Sequence, residues 1–404
     1  MIKKKIFTGF IFFLIICITG LSLSPGIKAE NLNAGVLLSD DHGNILYGQN
    51  PGKLFVPASI LKILTSLAAI HILGEEYRFP TKYFFDKNSK NLYIKGFGDP
   101  LFISEVIEQL CREIGLKIKT KQIHNIILDQ TYFSAQIRIP GKGDSLNPYD
   151  APVGALCANF NTITFKWDSR EKRFTRGEPQ TPLLSIFHGE IKKTNLKKGR
   201  VILSKQQSEL YPGLLIKHFF EKNNIKVTGS VLKGTFEVNE GEKDSFLSPL
   251  KIKEIVKKLL RYSNNFIANQ LLLTMGAKVY GQPATLEKGL NAVKLFSKQV
   301  LNFDHLIISE GSGLSRSNLV SPDQMLKVLI EFMPFYSLLN SKDNEFFKTG
   351  TLSGVRARAG YISKENKKLY PYVIMVNQKN KGYESIRKDI LGLVLHNVVN
   401  QNKD

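Results

Sequence analysis

The sequence predicts an α/β protein in which the two ends of the chain form one mixed unit and a β-rich insertion interrupts it. Two observations lead there. Strand-like runs and long apolar helical stretches occupy both ends, whereas from about Phe79 to Leu247 short strand-like pieces alternate with polar turns. Scale agrees: 404 residues with 43% hydrophobic content can fill two or three cores.

The first segment decides the compartment. Met1-Ile-Lys-Lys-Lys5 is a positive leader, Ile6 to Leu23 is apolar, and Ser24-Pro-Gly-Ile-Lys-Ala29 breaks the run. This is the pattern of a secretory signal peptide spanning 1–29, with export to the periplasm or cell envelope as the expectation. The apolar run approaches bilayer-spanning length, which leaves an uncleaved anchor as the alternative. Cys17 follows Ile16 rather than a small residue, which argues against lipidation.

The remaining elements follow in order. Residues 31–38 and 44–49 read as two strands about the turn Asp40-Asp-His-Gly43. Pro57-Ala-Ser59 opens a helix to about Leu73. In the insertion the strand-like pieces are KYFF, NLYIKG, HNIILD, NTITFKW, GRVILS and GSVLKGTF, with helical pieces at Ser104–Glu113 and Leu214–Lys222. Helical periodicity returns after Ser248-Pro249, at Ile252–Arg261, Ile267–Met275 and Ala284–Val300. Strands are expected at His305–Ser309, Glu345–Thr351, Arg358–Ile362 and Tyr372–Asn377, and a last helix at Ile386–Val399. The expected units are therefore 30–78 with 248–404, and an inserted accessory region over 79–247 that holds one or two small domains.

One residue contradicts its surroundings. Lys62 is the only formally charged side chain between Leu54 and Gly74. Burying an unpaired ammonium is costly, so burial lowers its pKa instead. A lysine held neutral can accept a proton. Ser59 sits three positions earlier, on the same helical face. A serine hydroxyl becomes a useful nucleophile once a neighbour removes its proton. Taken alone, Ser59-Ile-Leu-Lys62 is as readily a helix cap followed by a snorkelling lysine.

Two further motifs follow. Ser263-Asn264-Asn265 lies at a corner between two helices, where a hydroxyl can relay a proton and an amide can bind a carbonyl; alone, it is an ordinary cap. Lys348-Thr349-Gly350-Thr351 ends an apolar strand. There Gly350 would let a ligand backbone approach, an extended peptide could add to the edge, and Lys348 with the threonines could hold a carboxylate. Alone, this is a strand ending in a turn. The three together, in order, form the set used by penicillin-recognising serine enzymes.

The sequence resembles the low-molecular-mass class C penicillin-binding proteins, the D-alanyl-D-alanine carboxypeptidase/endopeptidase type. Besides the motifs, the resemblance is carried by "GQNPGKLFVPASILKILTSLAAIHILG", "LYIKGFGDPLF", "NIILDQTYF", "APVGALCANFNTITF", "SNNFIANQLLLTMG", "ISEGSGLSRSNLVSP" and "KTGTLSGVRARAGYI". It implies a β-lactamase-like transpeptidase fold: an antiparallel sheet of about five strands with helices on both faces. It also implies that Ser59 is the acylated nucleophile and Lys62 its base. Ser263 and Asn265 would assist proton transfer and grip substrate, and Lys348, Thr349, Gly350 and Thr351 would bind it. The backbone N–H groups of Ser59 and Thr351 would form the oxyanion hole. The implied partners are peptidoglycan peptides ending in D-Ala-D-Ala and β-lactam antibiotics.

Other readings leave traces. A β-lactamase shares the motifs, and Glu287-Lys-Gly-Leu-Asn291 imitates an E-x-x-x-N deacylation loop; yet Ser263 lies 204 positions after Ser59, far longer than in class A enzymes. A non-catalytic cell-wall-binding relative is disfavoured by the intact motif residues. The net charge of +21, or +17 without residues 1–29, would suit nucleic acid, but an exported chain meets anionic envelope surfaces instead. No nucleic-acid partner is expected. Neither CxxC nor HExxH spacing occurs, so no metal and no cofactor are expected, while Cys111 and Cys157 read equally as a disulfide or as buried thiols.

Overall fold

The computed structural model describes residues 32–143, 151–237, 244–364 and 368–396. The expected signal peptide, Cys17 and the end of the last helix beyond residue 396 lie outside the described residues.

The chain begins with the hairpin β1 (Ala34–Ser39) and β2 (Ile45–Gln49), then a tight turn at Ala58–Ile60 leads into α1 (Leu61–Leu73). The inserted region opens with β3 (Arg78–Phe85), β4 (Leu92–Gly96), α2 (Ser104–Ile118), β5 (Gln122–Ile123) and β6 (Ile126–Asp129). It continues with β7 (Thr162–Asp168), β8 (Arg173–Arg176), α3 (His188–Lys193), β9 (Lys198–Ile202) and α4 (Lys205–Lys222). It closes with β10 (Lys226–Val227), β11 (Val231–Lys233) and β12 (Asp244–Lys251). Four helices follow: α5 (Ile252–Tyr262), α6 (Asn265–Tyr280), α7 (Leu286–Leu301) and α8 (Pro322–Phe332). The chain returns through β13 (Asn340–Lys342), β14 (Glu345–Leu352), β15 (Val355–Ser363), β16 (Leu369–Val376) and α9 (Glu384–His396).

The two ends meet in one antiparallel sheet, in the order β13-β14-β15-β16-β1-β2. It has six strands where about five were expected, because the three-residue β13 adds an edge. Period-two alternation explains why helices cover both faces. Val36, Leu38, Ile374 and Val376 point to one side and pack on Ile386, Ile390 and Val394 of α9. Leu37, Val373 and Met375 point to the other, into a core shared with α1, α5, α6, α7 and α8. Helix α1 is apolar on nearly every side, as a helix at the centre of a core must be.

The insertion has its own core. Strands β11-β6-β4-β3-β12 form a mixed sheet on which α2 and α4 pack. A three-stranded antiparallel sheet, β8-β7-β9, stands beside it. Helix α4 starts earlier than its apolar pattern suggested, because Ser204 and Gln207 form a capping box upstream of the buried Pro212. The strand expected at His305–Ser309 reduces to one bridge, Ile307 to Leu319. Helix α8 was not anticipated, although Ser321 and Gln324 form a capping box with Pro322 at the first turn. Strand β12 pairs with β3 through residues 244–251, so the last strand of the inserted sheet crosses the expected junction at 248. Cys111 and Cys157 are separate buried thiols.

Candidate active site

The site is built around the turn that precedes α1. Ala58 adopts φ +49°, the left-handed region that a side chain enters only when its surroundings enforce it. Two glycines supply that enforcement. A Cβ on Gly313 would lie 1.8 Å from the Ala58 carbonyl oxygen, and one on Gly350 would lie 2.9 Å from the Ser59 nitrogen. Gly350 was expected to make room for a ligand backbone; it makes room for the Ser59 turn of its own chain. The correction has a simple cause, since β14 packs directly against Ala58–Ile60.

Ser59 and Lys62 meet as the spacing predicts. Lys62 Nζ lies 2.9 Å from Ser59 Oγ, and it donates to Asn265 Oδ1 at 2.6 Å and to the Ser312 carbonyl at 2.6 Å. Lys62 has no exposed surface. Burial drives its amine well below the ordinary lysine value; the charge of Lys348 lowers it further, and Glu310 opposes both.

Asn265 reaches this amine because the helix corner is sharp. Ser263 ends α5 in a left-handed conformation at φ +52°, and Asn264 caps α6 by accepting the Ile267 N–H at 3.1 Å. Ser263 itself is half-buried and lines a groove of about 890 Å³ together with Asn265, Phe160, Thr164 and Arg200. Its hydroxyl forms no hydrogen bond to Ser59 or Lys62 among the described residues.

Lys348 is buried, donates to the Thr349 carbonyl at 2.8 Å, and is pushed down to about 8 by burial. Strand alternation puts Lys348 and Gly350 on the side of the Ser59 turn, while Thr349 and Thr351 occupy the other, partly exposed side. Neither threonine is hydrogen-bonded to Ser59 or Lys62 among the described residues. Strand β13 pairs only with Glu345–Phe347, so the edge from Lys348 to Leu352 carries no strand partner among the described residues. An extended peptide has an open ladder there.

Sequence reasoning missed one group, the buried Glu310. One of its oxygens accepts from the Ser312 N–H at 2.7 Å, the Ser312 hydroxyl at 2.6 Å and Asn269 Nδ2 at 3.2 Å. The other accepts from Asn318 Nδ2 at 2.7 Å and the Ser315 N–H at 3.2 Å. Thr65 donates to the Gly311 carbonyl at 2.6 Å. This loop therefore holds the Ser312 carbonyl against Lys62. The only signal in sequence was an acid inside the polar run Ser309-Glu-Gly-Ser-Gly313, with no periodicity to mark it.

The model of the D-Ala-D-Ala carboxypeptidase 3 (S13) family matches residues 25–239 and 186–339, which together span well over half of the chain. The chain belongs to this family. Among its relatives is the D-alanyl-D-alanine carboxypeptidase DacB of Haemophilus influenzae, 23% identical over 88% of this chain and 86% of that protein. The crystal structure of that protein, penicillin binding protein 4, superposes with a TM-score of 0.71 at 22% identity, covering 90% of this chain and 96% of the other. A D-alanyl-D-alanine carboxypeptidase from an Actinomadura species is 24% identical over 82% of this chain and 76% of that protein. A predatory endopeptidase of Bdellovibrio bacteriovorus, solved acylated by penicillin G, superposes at TM-score 0.51 and 19% identity over 91% of this chain and 90% of its own. The S13 membership makes the chain a serine peptidase of D-Ala-D-Ala carboxypeptidase type with the penicillin-binding fold. Within this S13 chain, Glu287 and Asn291 of the E-x-x-x-N pattern are exposed residues on the regular helix α7.

Proposed function

We propose that this chain is an exported D-Ala-D-Ala carboxypeptidase, with endopeptidase capacity, that cuts peptidoglycan stem peptides through an acyl-enzyme on Ser59. The observation that carries the reading is the environment of Lys62 Nζ. A neutral amine has two hydrogens and one lone pair. Asn265 Oδ1 and the Ser312 carbonyl are both acceptors and take the two hydrogens. The lone pair is left for the Ser59 hydroxyl at 2.9 Å.

The steps follow from that arrangement. Lys62 removes the Ser59 proton as Oγ attacks the carbonyl of the penultimate D-Ala. The substrate lies extended along the open edge of β14, and the N–H groups of Ser59 and Thr351 receive the developing oxyanion. Lys348 holds the terminal carboxylate, while Thr349 and Thr351, whose side chains face the other side of the strand, contribute backbone groups along the open edge. Ser263 relays the proton to the leaving amine, which is D-Ala or a cross-bridge amine, and water then hydrolyses the ester. A β-lactam mimics the terminal dipeptide and stalls at the ester, as the acylated Bdellovibrio structure illustrates for that protein.

Residues 1–29 are the proposed export signal. Residues 30–78 with 248–404 are the proposed catalytic domain, and 79–247 the accessory region. The basic balance of the chain favours contact with anionic envelope surfaces. The test is fluorescent penicillin followed by peptide mapping. One adduct on the peptide containing Ser59, lost in Ser59→Ala, is expected; an adduct elsewhere would end the proposal. Mass analysis of D-Ala and dimers released from peptidoglycan then separates carboxypeptidase from endopeptidase action.

A further inference from the structure

The groove beside Ser263 and Asn265 reaches the insertion, where Thr162, Thr164 and Arg200 form part of its wall. Ladder register shows what continues that wall. Thr164 lies opposite Arg200, Lys166 lies opposite both Lys198 and Thr175, and Asp168 lies opposite Arg173. Opposed residues share a face of the sheet, and successive rungs on one face are ~7 Å apart. Three rungs therefore run outward in line from the groove. The reverse face carries Phe165 and Val201, which pack on Ile191 of α3.

The charge on this outer face is unbalanced. Lys166 and Lys198 are exposed and form no ion pair among the described residues. Like charges directly opposite each other in a ladder are destabilising, and Asp168, one rung outward on the same face, offsets Lys166 only through space and forms no ion pair with either lysine among the described residues. Arg200 pairs with Glu178 at 3.5 Å and Arg173 with Glu171 at 2.5 Å. One oxygen of the Asp168 carboxylate, Oδ1, accepts the N–H groups of Arg170 and Glu171, while the charges of Lys166 and Arg173 also act on this carboxylate. What remains for a partner is a pair of cationic side chains flanked by threonine hydroxyls, one rung beyond the groove.

We propose that this face docks a further stretch of the polymer being cut, namely the carboxylate-bearing stem peptides that neighbour the scissile one on a peptidoglycan strand. The inference rests on the reading of Ser59 given above. On this view the insertion raises the local concentration of a polyanionic, insoluble substrate at the cleft, while a short peptide that fills only the cleft gains nothing.

The test is Lys166→Gln combined with Lys198→Gln in the full chain. Both positions are solvent-facing, and thermal melting with fluorescent-penicillin labelling checks that fold and cleft are intact. D-Ala release is measured from a soluble acyl-D-Ala-D-Ala peptide and from purified peptidoglycan sacculi, with co-sedimentation on sacculi at low and high salt. Peptide hydrolysis should stay within about twofold, while release from sacculi and pelleting should fall about 5- to 10-fold at low salt, with a flatter salt dependence. Unchanged action on sacculi, or equal loss on both substrates, overturns the proposal. So does a variant that pellets normally with sacculi but loses binding to soluble polyphosphate, which would assign the face to a phosphate polymer. If the unmodified chain neither labels with penicillin nor cleaves the peptide, the reading of Ser59 fails, and the pelleting comparison still decides the face.

Discussion

Two buried charge clusters sit three residues apart on β14, and they are built on opposite principles. At Glu345 the charges balance, two arginines against Glu345 and, at 3.5 Å from Arg387, Glu384. Its carboxylate accepts from Arg358 Nε at 3.2 Å, from the Tyr372 hydroxyl at 2.7 Å and from Arg387 Nε of α9 at 2.7 Å. Burial alone would raise its pKa, but hydrogen bonds from Arg387 and Tyr372 and the charge of Arg358 outweigh burial and hold it below the usual carboxylate value. At Lys348 the charges do not balance. Lys348 and Lys62 are both buried, both are depressed by burial, and the charge of Lys348 further disfavours the ammonium form of Lys62. The first cluster anchors the C-terminal helix to the strand that carries the third motif. The second disfavours the ammonium form of Lys62. One strand thus holds a satisfied cluster that fixes geometry beside a frustrated one that stores basicity.

The largest effect should come from removing the frustrated base. Lys62→Arg puts a permanent cation where the wild-type amine is neutral, so penicillin acylation by the folded protein should slow by about 10³-fold, and the buried charge should lower the melting temperature as well. Stopped-flow acylation and a melt on one sample check both halves. Removing the Glu345 carboxylate should act on stability alone. Glu345→Ala leaves the buried Arg358 without its carboxylate and Arg387 with Glu384 at 3.5 Å, and should destabilise the fold by about 3–5 kcal/mol, while the folded fraction still acylates. Urea unfolding with penicillin labelling below the transition reads that separation.

The clusters should also differ in their response to pH. Glu345 is depressed, so its contribution is present above the unfolded carboxylate value and is lost as pH falls through the lower folded value. Lys348 is depressed to about 8 from 10.5, so the unfolded chain binds more protons across that window and stability should rise with pH there. Compared with Lys348→Met, the unmodified protein should gain about 2–3 kcal/mol between those limits, measured by urea unfolding. No such difference would place Lys348 in a hydrated environment. The mildest change is Glu310→Gln. It turns an acceptor into a donor facing donors, displaces the Ser312 carbonyl and should slow acylation by about 10-fold.

How much of this was legible in the sequence depended on range. Ser59 and Lys62 were readable because three-residue spacing on a helix is a local rule, and a lone lysine in an apolar run is conspicuous. The central strands were readable because β1 and β16 are apolar on both faces, as strands covered by helices on each side must be. Glu310 was not readable, since its partners Asn269, Ser312 and Asn318 converge only after α6 and the loop have packed. Gly350 was assigned to a ligand because its close neighbour, the Ser59 turn, is nearly three hundred residues away in sequence. Helix α8 was readable and missed: Ser321-Pro-Asp-Gln324 is a complete capping signature.

The central claim is that Lys62 is a neutral amine poised on Ser59. Carbon-13 NMR of protein labelled at lysine Cε, with Lys62→Arg supplying the assignment, measures its protonation directly. A Lys62 resonance in the neutral form at pH 7, titrating well below the bulk lysines, is the expected result. A Lys62 signal that stays in the ammonium form at pH 7 and titrates together with the surface lysines would contradict it.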